Sequence, residues 1–484
     1  MRLSEISGLN DRAKGIEVVG ITADSRAVMP GYLFAALRGV RDDGTRFISD
    51  AIRQGAVAVL AAPGTAVPAE DIFLVSDPNP RRRLAMMAAR FYPRQPKTIV
   101  AVTGTNGKTS TADFAAQIWA RLGIKGGSLG TLGLRTSVSD SEASLTTPDP
   151  VSLHRILDTL AGEGLEHLAM EASSHGLDQF RLDGVRVAAA AFTNISHDHL
   201  DYHGTIETYL AAKLRLFTEV MAEGGIAVLN RDMPEYPEVR EACRKRGHRI
   251  LTYGIAPDAD FRLVAVEPGP CGQTVEVSVQ GETRRVLLPL YGSFQAENAL
   301  CALALVIATG ADRAAAVDAL GHLHGVTGRA QLVAELANRA KVFVDYAHTP
   351  DALEHVLSAL RPHTKGRLVV VFGCGGDRDR AKRPEMGRIA AALADRVIVT
   401  DDNPRNEDPA VIRSEIRAAC ADSEEIGDRA KAIARGVALL EPGDVLIVAG
   451  KGHETGQIVR DQVRPFDDTA VIRKAVLGRG RNGS

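Results

Sequence analysis

The segment Thr103-Gly-Thr-Asn-Gly-Lys-Thr-Ser110 sets glycines, a lysine and hydroxyls directly behind an apolar run, Ile99-Val-Ala-Val102. A strand that breaks at Gly104 and Gly107 and restarts as a helix turns backbone N–H groups inward. The result is an anion nest at a helix N-terminus, with Thr105, Asn106 and Ser110 around it. Lys108 would reach the outer phosphates of a nucleotide, and the Thr109 hydroxyl would hold Mg²⁺. Val102 stands where the general pattern GxxxxGK[ST] has its first glycine. The alternative is a glycine-rich turn beside an unrelated lysine. The strand before it and the helix after it favour a triphosphate.

Two further strand ends carry polar groups, Met170-Glu-Ala-Ser-Ser-His-Gly-Leu177 and Thr193-Asn-Ile-Ser-His-Asp-His-Leu-Asp-Tyr-His203. In an open parallel sheet, ligands bind beyond the carboxyl ends of the strands. Glu171 and His199 could therefore face the same triphosphate and share its metal. Three histidines and two aspartates between positions 193 and 203 would equally suit a transition-metal hydrolase. The phosphate loop favours Mg²⁺, which binds few protein groups plus phosphates.

These groups need a scaffold, and the sequence outlines an α/β one. Short β-branched runs (Thr98–Val102, His167–Met170, Ala188–Phe192, Gly225–Leu229, Val342–Val344, Leu368–Phe372, Val397–Val399, Val445–Val448) alternate with alanine-rich helical stretches such as Thr111–Leu122, Ala296–Thr309 and Pro384–Ala394. That alternation predicts parallel sheets covered on both faces. At 484 residues, with roughly 100–200 residues per domain, about three domains are expected. Arg90-Phe-Tyr-Pro-Arg-Gln-Pro-Lys97 reads as one linker and Gly325–Lys341 as a second junction, while Gly478–Ser484 reads as a frayed tail. Hydrophobic residues at 45% exclude a disordered chain, and a formal net charge of -2 argues against wholesale nucleic-acid binding. The five cysteines form no CxxC pair, which reads as free thiols in a reducing compartment. No signal peptide or membrane-length apolar run is evident, so a cytoplasmic protein is expected, with monomer as the default.

Several segments together resemble the Mur ligases, ATP-dependent amide-forming enzymes of peptidoglycan synthesis. The loop Thr103–Ser110 is similar to their shortened phosphate loop, and Asn194–Asp201 to their central histidine motif. Tyr209-Leu-Ala-Ala-Lys-Leu-Arg-Leu-Phe217 resembles the segment whose lysine takes up CO₂ as a carbamate, here Lys213, which without the resemblance would read as a solvated helix residue. Gly292-Ser-Phe-Gln-Ala-Glu-Asn-Ala299, Gly325-Val-Thr-Gly-Arg329 and Val344-Asp-Tyr-Ala-His-Thr-Pro350 match further family segments. They imply that Asn298, Arg329 and Asp345 lie near ATP. The resemblance implies a UDP-binding N-terminal α/β domain over 1–96, a central ATP-binding domain with a parallel sheet over 97–330, and a Rossmann-like amino-acid-binding domain over 331–484.

The N-terminal segments Thr22-Ala-Asp-Ser-Arg26, Gly31-Tyr-Leu-Phe-Ala35 and Gly55-Ala-Val-Ala58 are similar to those of family members that add the third peptide residue. By resemblance Ser25 would contact the uridine nucleotide, and Thr146, Thr147, Ser173, Gln179 and Arg181 the muramyl-dipeptide. Asp402-Asn-Pro-Arg405 would pass as a turn with a solvated arginine in an arbitrary protein. In this family it looks like the signature for meso-diaminopimelate, whose second carboxylate a planar guanidinium can grip. Arg378 is its companion, and Gly450 and Glu454 would receive the distal ammonium. The implied reaction passes the γ-phosphate of ATP to the D-glutamyl carboxylate of UDP-N-acetylmuramoyl-L-alanyl-D-glutamate, after which the diaminopimelate amine displaces phosphate. Lys108, Glu171, His199 and Lys213 would be its catalytic groups, with Thr109, Glu171, His199 and Lys213 at the metal. Closure of the last domain over the central one is expected, to keep water from the acyl phosphate. The rival readings are a folylpolyglutamate synthase or lysine-adding ligase, a nucleotide-driven switch, and a metal hydrolase.

Overall fold

The computed structural model describes residues 1–9, 13, 15–39, 42–136, 140–141 and 145–482. The first sheet is parallel throughout, with strands Gly20–Thr22, Tyr32–Ala35, Ala58–Ala61 and Phe73–Ser76 in sequence order.

A second sheet of eleven strands has a parallel centre. Arg249–Gly254, Ile226–Asn230, Val187–Phe192, Thr98–Thr103, His167–Glu171 and Gly126–Gly130 lie side by side in that order. Along the phosphate-loop strand, Ile99 and Ala101 enter one apolar cluster while Val100 and Val102 enter the other. Successive side chains point to opposite faces, and both faces are covered, so every residue of the run is apolar. Helices Lys108–Arg121 and Ser293–Ala308 cover one face. The second of these buries almost every residue from Gln295 to Val306, as befits a helix apolar all round.

The expected parallel pattern fails at 261–288. Phe261–Gly269, Gly272–Val279 and Glu282–Leu288 form an antiparallel extension. There Val275, Val277 and Val279 are buried and the residues between them half-buried, so only one face meets the core. The tail also differs from expectation. Helix Asp468–Asn482 runs through Gly478, because Ile472 is fully buried on the last sheet and Arg479 donates to the Val437 and Leu440 carbonyls.

The third sheet orders Gln331–Glu335, Lys341–Asp345, Val445–Ala449, Leu368–Phe372, Arg396–Val399 and Glu424–Glu425, antiparallel only at its first pair. A separate hairpin, Gly456–Val459 with Gln462–Pro465, follows it. Among the described residues no helix is long and apolar enough to cross a membrane. Cys374 is buried against Met386, and burial pushes its thiol up to about 12, which leaves no thiolate for nucleophilic work.

Beneath the carboxyl ends of this sheet the fully buried Arg383 forks onto Glu407 at 2.8 and 3.0 Å and onto Glu415 at 2.6 Å. Its guanidinium holds the Glu407 carboxyl down at about 2. A depressed carboxyl contributes stability above its unfolded value of about 4.3, and that contribution disappears as pH falls through the folded value. Glu407→Gln should therefore lower the Tm by about 2–4 °C at pH 7. The gap between variant and parent should narrow between pH 5 and 3 in calorimetric scans. A gap independent of pH would contradict the assignment.

Candidate active site

Strand Thr98–Thr103 delivers the phosphate loop to the carboxyl edge of the central sheet, and helix Lys108–Arg121 begins immediately after Gly107. Gly104 has φ +145° and Gly107 φ +86°. A Cβ on Gly104 would lie 1.9 Å from Thr193 Oγ1, and one on Gly107 2.4 Å from Asn298 Oδ1. Both positions therefore admit only glycine. The neighbouring strand's loop staples this one in place. Thr105 N donates to Asn194 O (2.9 Å), Asn106 N to Asn194 Oδ1 (2.9 Å), and Thr193 Oγ1 to Asn106 O (2.6 Å). Lys108 Nζ folds back onto the Gly104 and Thr105 carbonyls at 2.9 and 2.8 Å. Ser110 is buried in the first helical turn.

Lys213 comes from helix Ile206–Arg215 on another part of the chain and reaches the same Gly104 carbonyl at 2.7 Å. It is 1% exposed, with its ammonium nitrogen 4.3 Å from the centre of the Tyr209 ring. Burial first, and the Lys108 charge second, hold it well below the ordinary lysine range. That favours a neutral amine. Tyr209 in turn bonds Thr105 through its hydroxyl at 3.3 Å.

Glu171 closes strand His167–Glu171 and is buried, accepting from Thr131 N (2.7 Å) and Thr131 Oγ1 (3.1 Å). A Cβ on Gly130 would come within 2.1 Å of its Oε1, so the carboxylate occupies space that only a glycine leaves. Glu171 and Thr109 line one cavity. His199 lies in the left-handed region at φ +54°, at the start of helix Leu200–His203. Its ring meets that of His175 edge-on at 4.8 Å, and His175 also packs on Tyr202 and His203. Burial, with the neighbouring histidines, lowers His175 to about 4. The histidines thus pack as an aromatic wall around Tyr202 and Tyr209, and among the described residues no three His, Cys, Asp or Glu side chains converge as metal ligands.

The residues expected to hold the dipeptide form one network next to Glu171. Thr146 Oγ1 lies 3.1 Å from Thr131 Oγ1, and Thr147 Oγ1 donates to Glu171 O and meets Ser173 Oγ, both at 3.0 Å. Arg181 donates to Thr147 O and Gln179 Oε1, both at 2.7 Å. Ser25 stands apart on the first sheet's side, half-buried behind its cap Asp24.

On the other flank, Asn298 Nδ2 donates to Gln295 Oε1, and Gln295 Nε2 to the Arg329 carbonyl. Arg329 lies over the Tyr346 ring, 4.6 Å from its centre, and reaches Thr109 Oγ1 at 3.4 Å. Asp345 accepts from Ala330 N at 2.6 Å and Ala347 N at 2.7 Å. Its carboxylate thus shapes the turn that carries Arg329.

The last cluster occupies the carboxyl ends of Leu368–Phe372, Arg396–Val399 and Val445–Ala449. Arg405, at φ +50°, donates to Gly376 O at 2.8 Å and lies across Gly375, where a Cβ would sit 2.7 Å from its Nη1. Burial, then the charge of nearby Arg378, lowers it from the usual arginine value. Arg378 itself is exposed. Pro404 O presses on Gly376, and Gly450, at φ +114°, leaves room for Asp402 Oδ2. Asn403 Nδ2 donates to Glu454 Oε2 at 2.9 Å. Two paired guanidiniums with an acidic and amide rim suit a zwitterion bearing an extra carboxylate.

Some residues escaped the sequence reading. Lys451, fully buried, donates to both Asn403 Oδ1 and Glu454 Oε2 at 3.1 Å. Its position inside Gly450–Glu454 was the available signal. Thr131 carried none, since its partner Glu171 is 40 residues away, whereas His175 and Tyr209 lay inside segments already singled out but showed no role of their own.

Sequence models of three families match this chain in order: "Mur ligase family, catalytic domain" over residues 17–92, "Mur ligase middle domain" over 102–306, and "Mur ligase, glutamate ligase domain" over 328–452. A relative from Brucella melitensis, named UDP-N-acetylmuramoyl-L-alanyl-D-glutamate–2,6-diaminopimelate ligase, is 51% identical over 99% of both chains. One of the same name from Bradyrhizobium diazoefficiens is 52% identical over 99% of this chain and 100% of its own. A solved structure under that name superposes with a TM-score of 0.74 at 33% identity, covering 99% of both chains. A Mycobacterium tuberculosis folylpolyglutamate synthase solved with ADP and AMPPCP shares the fold at 19% identity, with a TM-score of 0.62 over 84% of this chain and 95% of its own.

Proposed function

The chain belongs to the Mur ligase family, and from that premise we propose that it joins meso-2,6-diaminopimelate to the D-glutamate of UDP-N-acetylmuramoyl-L-alanyl-D-glutamate at the expense of ATP. Residues 1–96 would take the uridine nucleotide through Ser25, residues 97–330 the ATP, and residues 331–484 the incoming amino acid. The observation that carries the choice of amine is Arg405 laid across Gly375–Gly376 beside Arg378. Diaminopimelate differs from lysine by one carboxylate, and a planar fork is the group that recognises it.

In the first step a carboxylate oxygen of the D-glutamyl group attacks the γ-phosphorus of ATP, and ADP leaves with the bond electrons. In the second, the amine attacks the resulting acyl phosphate and inorganic phosphate departs. The protein's part is positioning and charge neutralisation. Lys108 exchanges its loop carbonyls for phosphate oxygens, while Asn298 and Arg329 bound the nucleotide from two sides. Thr146, Thr147, Ser173, Gln179 and Arg181 orient the acceptor next to Glu171.

Thr109 and Glu171 line one cavity, and their hydroxyl and carboxylate are hard oxygen donors of the kind that fits Mg²⁺. Thr109, Glu171, His199 and a carbamate on Lys213 would hold it, and bound there it would neutralise developing phosphate charge. Lys213 suits carbamylation because its amine is buried and favours the neutral form, the form that adds CO₂.

The test is phosphate release from ATP in the presence of the acceptor nucleotide, comparing meso-diaminopimelate, L-lysine and no amine. Release driven by diaminopimelate alone is the expected result. Release with lysine would keep the ligase and overturn the role of Arg405, and no release with any amine would remove the ligase reading.

A further inference from the structure

We propose that Asp351 is a positioning residue that couples the phosphate loop to docking of the C-terminal sheet, so that nucleotide binding and domain docking reinforce each other. The inference rests on the reading of Gly104–Ser110 as the nucleotide site. Asp351 is the second residue of helix Pro350–Leu360, whose start is capped by Thr349. Its Oδ2 accepts from Asn106 Nδ2 at 3.1 Å and from Ser196 Oγ at 2.9 Å, and its Oδ1 lies 3.2 Å from His355 Nε2 one turn along. Two of these donors belong to the central sheet, 245 and 155 residues away in the chain.

Both central donors sit on a frame that is already fixed. The backbone of Asn106 is bonded to Thr193 and Asn194, and Ser196 N donates to Thr105 Oγ1 at 3.0 Å. The Asp351 carboxylate therefore reads the positions of the phosphate loop and the histidine loop at once. It does so from a helix N-terminus, where negative charge is favoured. An aspartate suits the place because three donors converge on two oxygens, whereas asparagine offers one.

The nucleotide would be gripped from both bodies. Lys108, Thr109, Asn298 and Arg329 belong to the central one, and Asp345, which accepts from Ala330 N beside Arg329, belongs to the other. A ligand held by two bodies binds with an affinity reduced by the fraction of molecules in which they are docked. Contacts that dock them in advance, as those of Asp351 do, raise that fraction. A residue that only stabilised its own helix would leave the affinity unchanged.

The experiment uses the full chain. It measures the Kd for a non-hydrolysable ATP analogue by calorimetry and the radius of gyration with and without that analogue by scattering. Asp351→Ala should weaken the analogue about tenfold and enlarge the radius of gyration of the nucleotide-free chain, leaving more compaction for the analogue to drive. Asp351→Asn should fall between it and the parent. Glu354→Ala, an exposed acid on the same helix, serves as the control for helix charge and should behave as the parent. Unchanged affinity and an unchanged nucleotide-free radius of gyration in Asp351→Ala, or an equal loss of affinity in Glu354→Ala, would overturn the proposal. Should Asp351→Ala unfold, the isosteric Asp351→Asn decides: parental affinity there also overturns it. A parent chain that binds the analogue but joins no amine would remove the ligase reading and leave this inference standing. A parent that binds no nucleotide would remove both.

Discussion

Lys108→Ala should lower kcat/KM for ATP-dependent amide formation by about a thousandfold, the scale of losing one preorganised donor to developing charge. The lysine is half-buried and desolvation lowers its pKa, yet Glu171 and Asp198 oppose that shift. Its ammonium rests on the Gly104 and Thr105 carbonyls. Those carbonyls belong to the loop that leads into the helix N-terminus at Lys108, so a short movement transfers the charge to a phosphate oxygen. Removing the ammonium leaves the nest and the glycine geometry in place. The variant should therefore fold with a Tm close to the parent's. Lys108→Arg should recover little, because a broad planar fork does not replace a compact point charge between two loop carbonyls. Initial rates of phosphate release against ATP concentration, with circular dichroism to confirm the fold, provide the check. A kcat/KM within tenfold of the parent would show that the outer phosphates are neutralised by other groups.

Arg405→Ala should raise the KM for meso-diaminopimelate by about 10²–10³-fold, matching the cost of truncating one partner of a desolvated charge pair. The guanidinium is positioned by the Gly376 carbonyl and by its left-handed backbone, and it sits where Gly375 has no side chain. Arg405→Lys should be nearly as damaging, since one ammonium cannot reproduce two parallel bonds to a carboxylate. Selectivity is the sharper readout. If Arg405 grips the second carboxylate, the ratio of kcat/KM for diaminopimelate over L-lysine collapses while the weak use of lysine is little changed. Equal losses with both amines would mean that Arg405 only shapes the Asp402–Arg405 turn. The KM for ATP should stay within a few-fold of the parent, because the phosphate loop lies on another sheet.

Particular residues show what was legible without coordinates. The phosphate loop, the Asp402–Arg405 turn and the Gly450–Glu454 turn are contiguous segments, and their backbone demands are local. Gly104, Gly107 and Gly450 occupy positive φ, a requirement that a sequence displays at the position where it applies. The apolar runs of the parallel strands were equally plain, since residues such as Ile99 and Val100 must both be buried although they face opposite ways. A one-sided antiparallel ribbon such as Gly272–Val279 alternates buried and half-buried residues from Thr274 to Val279, a signal that the search for continuous runs passes over.

By itself the sequence determined which chemistries were present: a phosphate nest, an acidic strand end and an arginine turn, each encoded within a few residues of one strand end. Only the tertiary structure decided which groups meet. Lys213 and Lys108 share the Gly104 carbonyl across 109 and 4 residues, Glu171 is held by Thr131, and Asp351 bridges two sheets. The order in which strands stand in a sheet decides these meetings. Thr98–Thr103 lies between Val187–Phe192 and His167–Glu171 because crossover helices packed it there. That packing is a property of whole faces, and no single segment carries it.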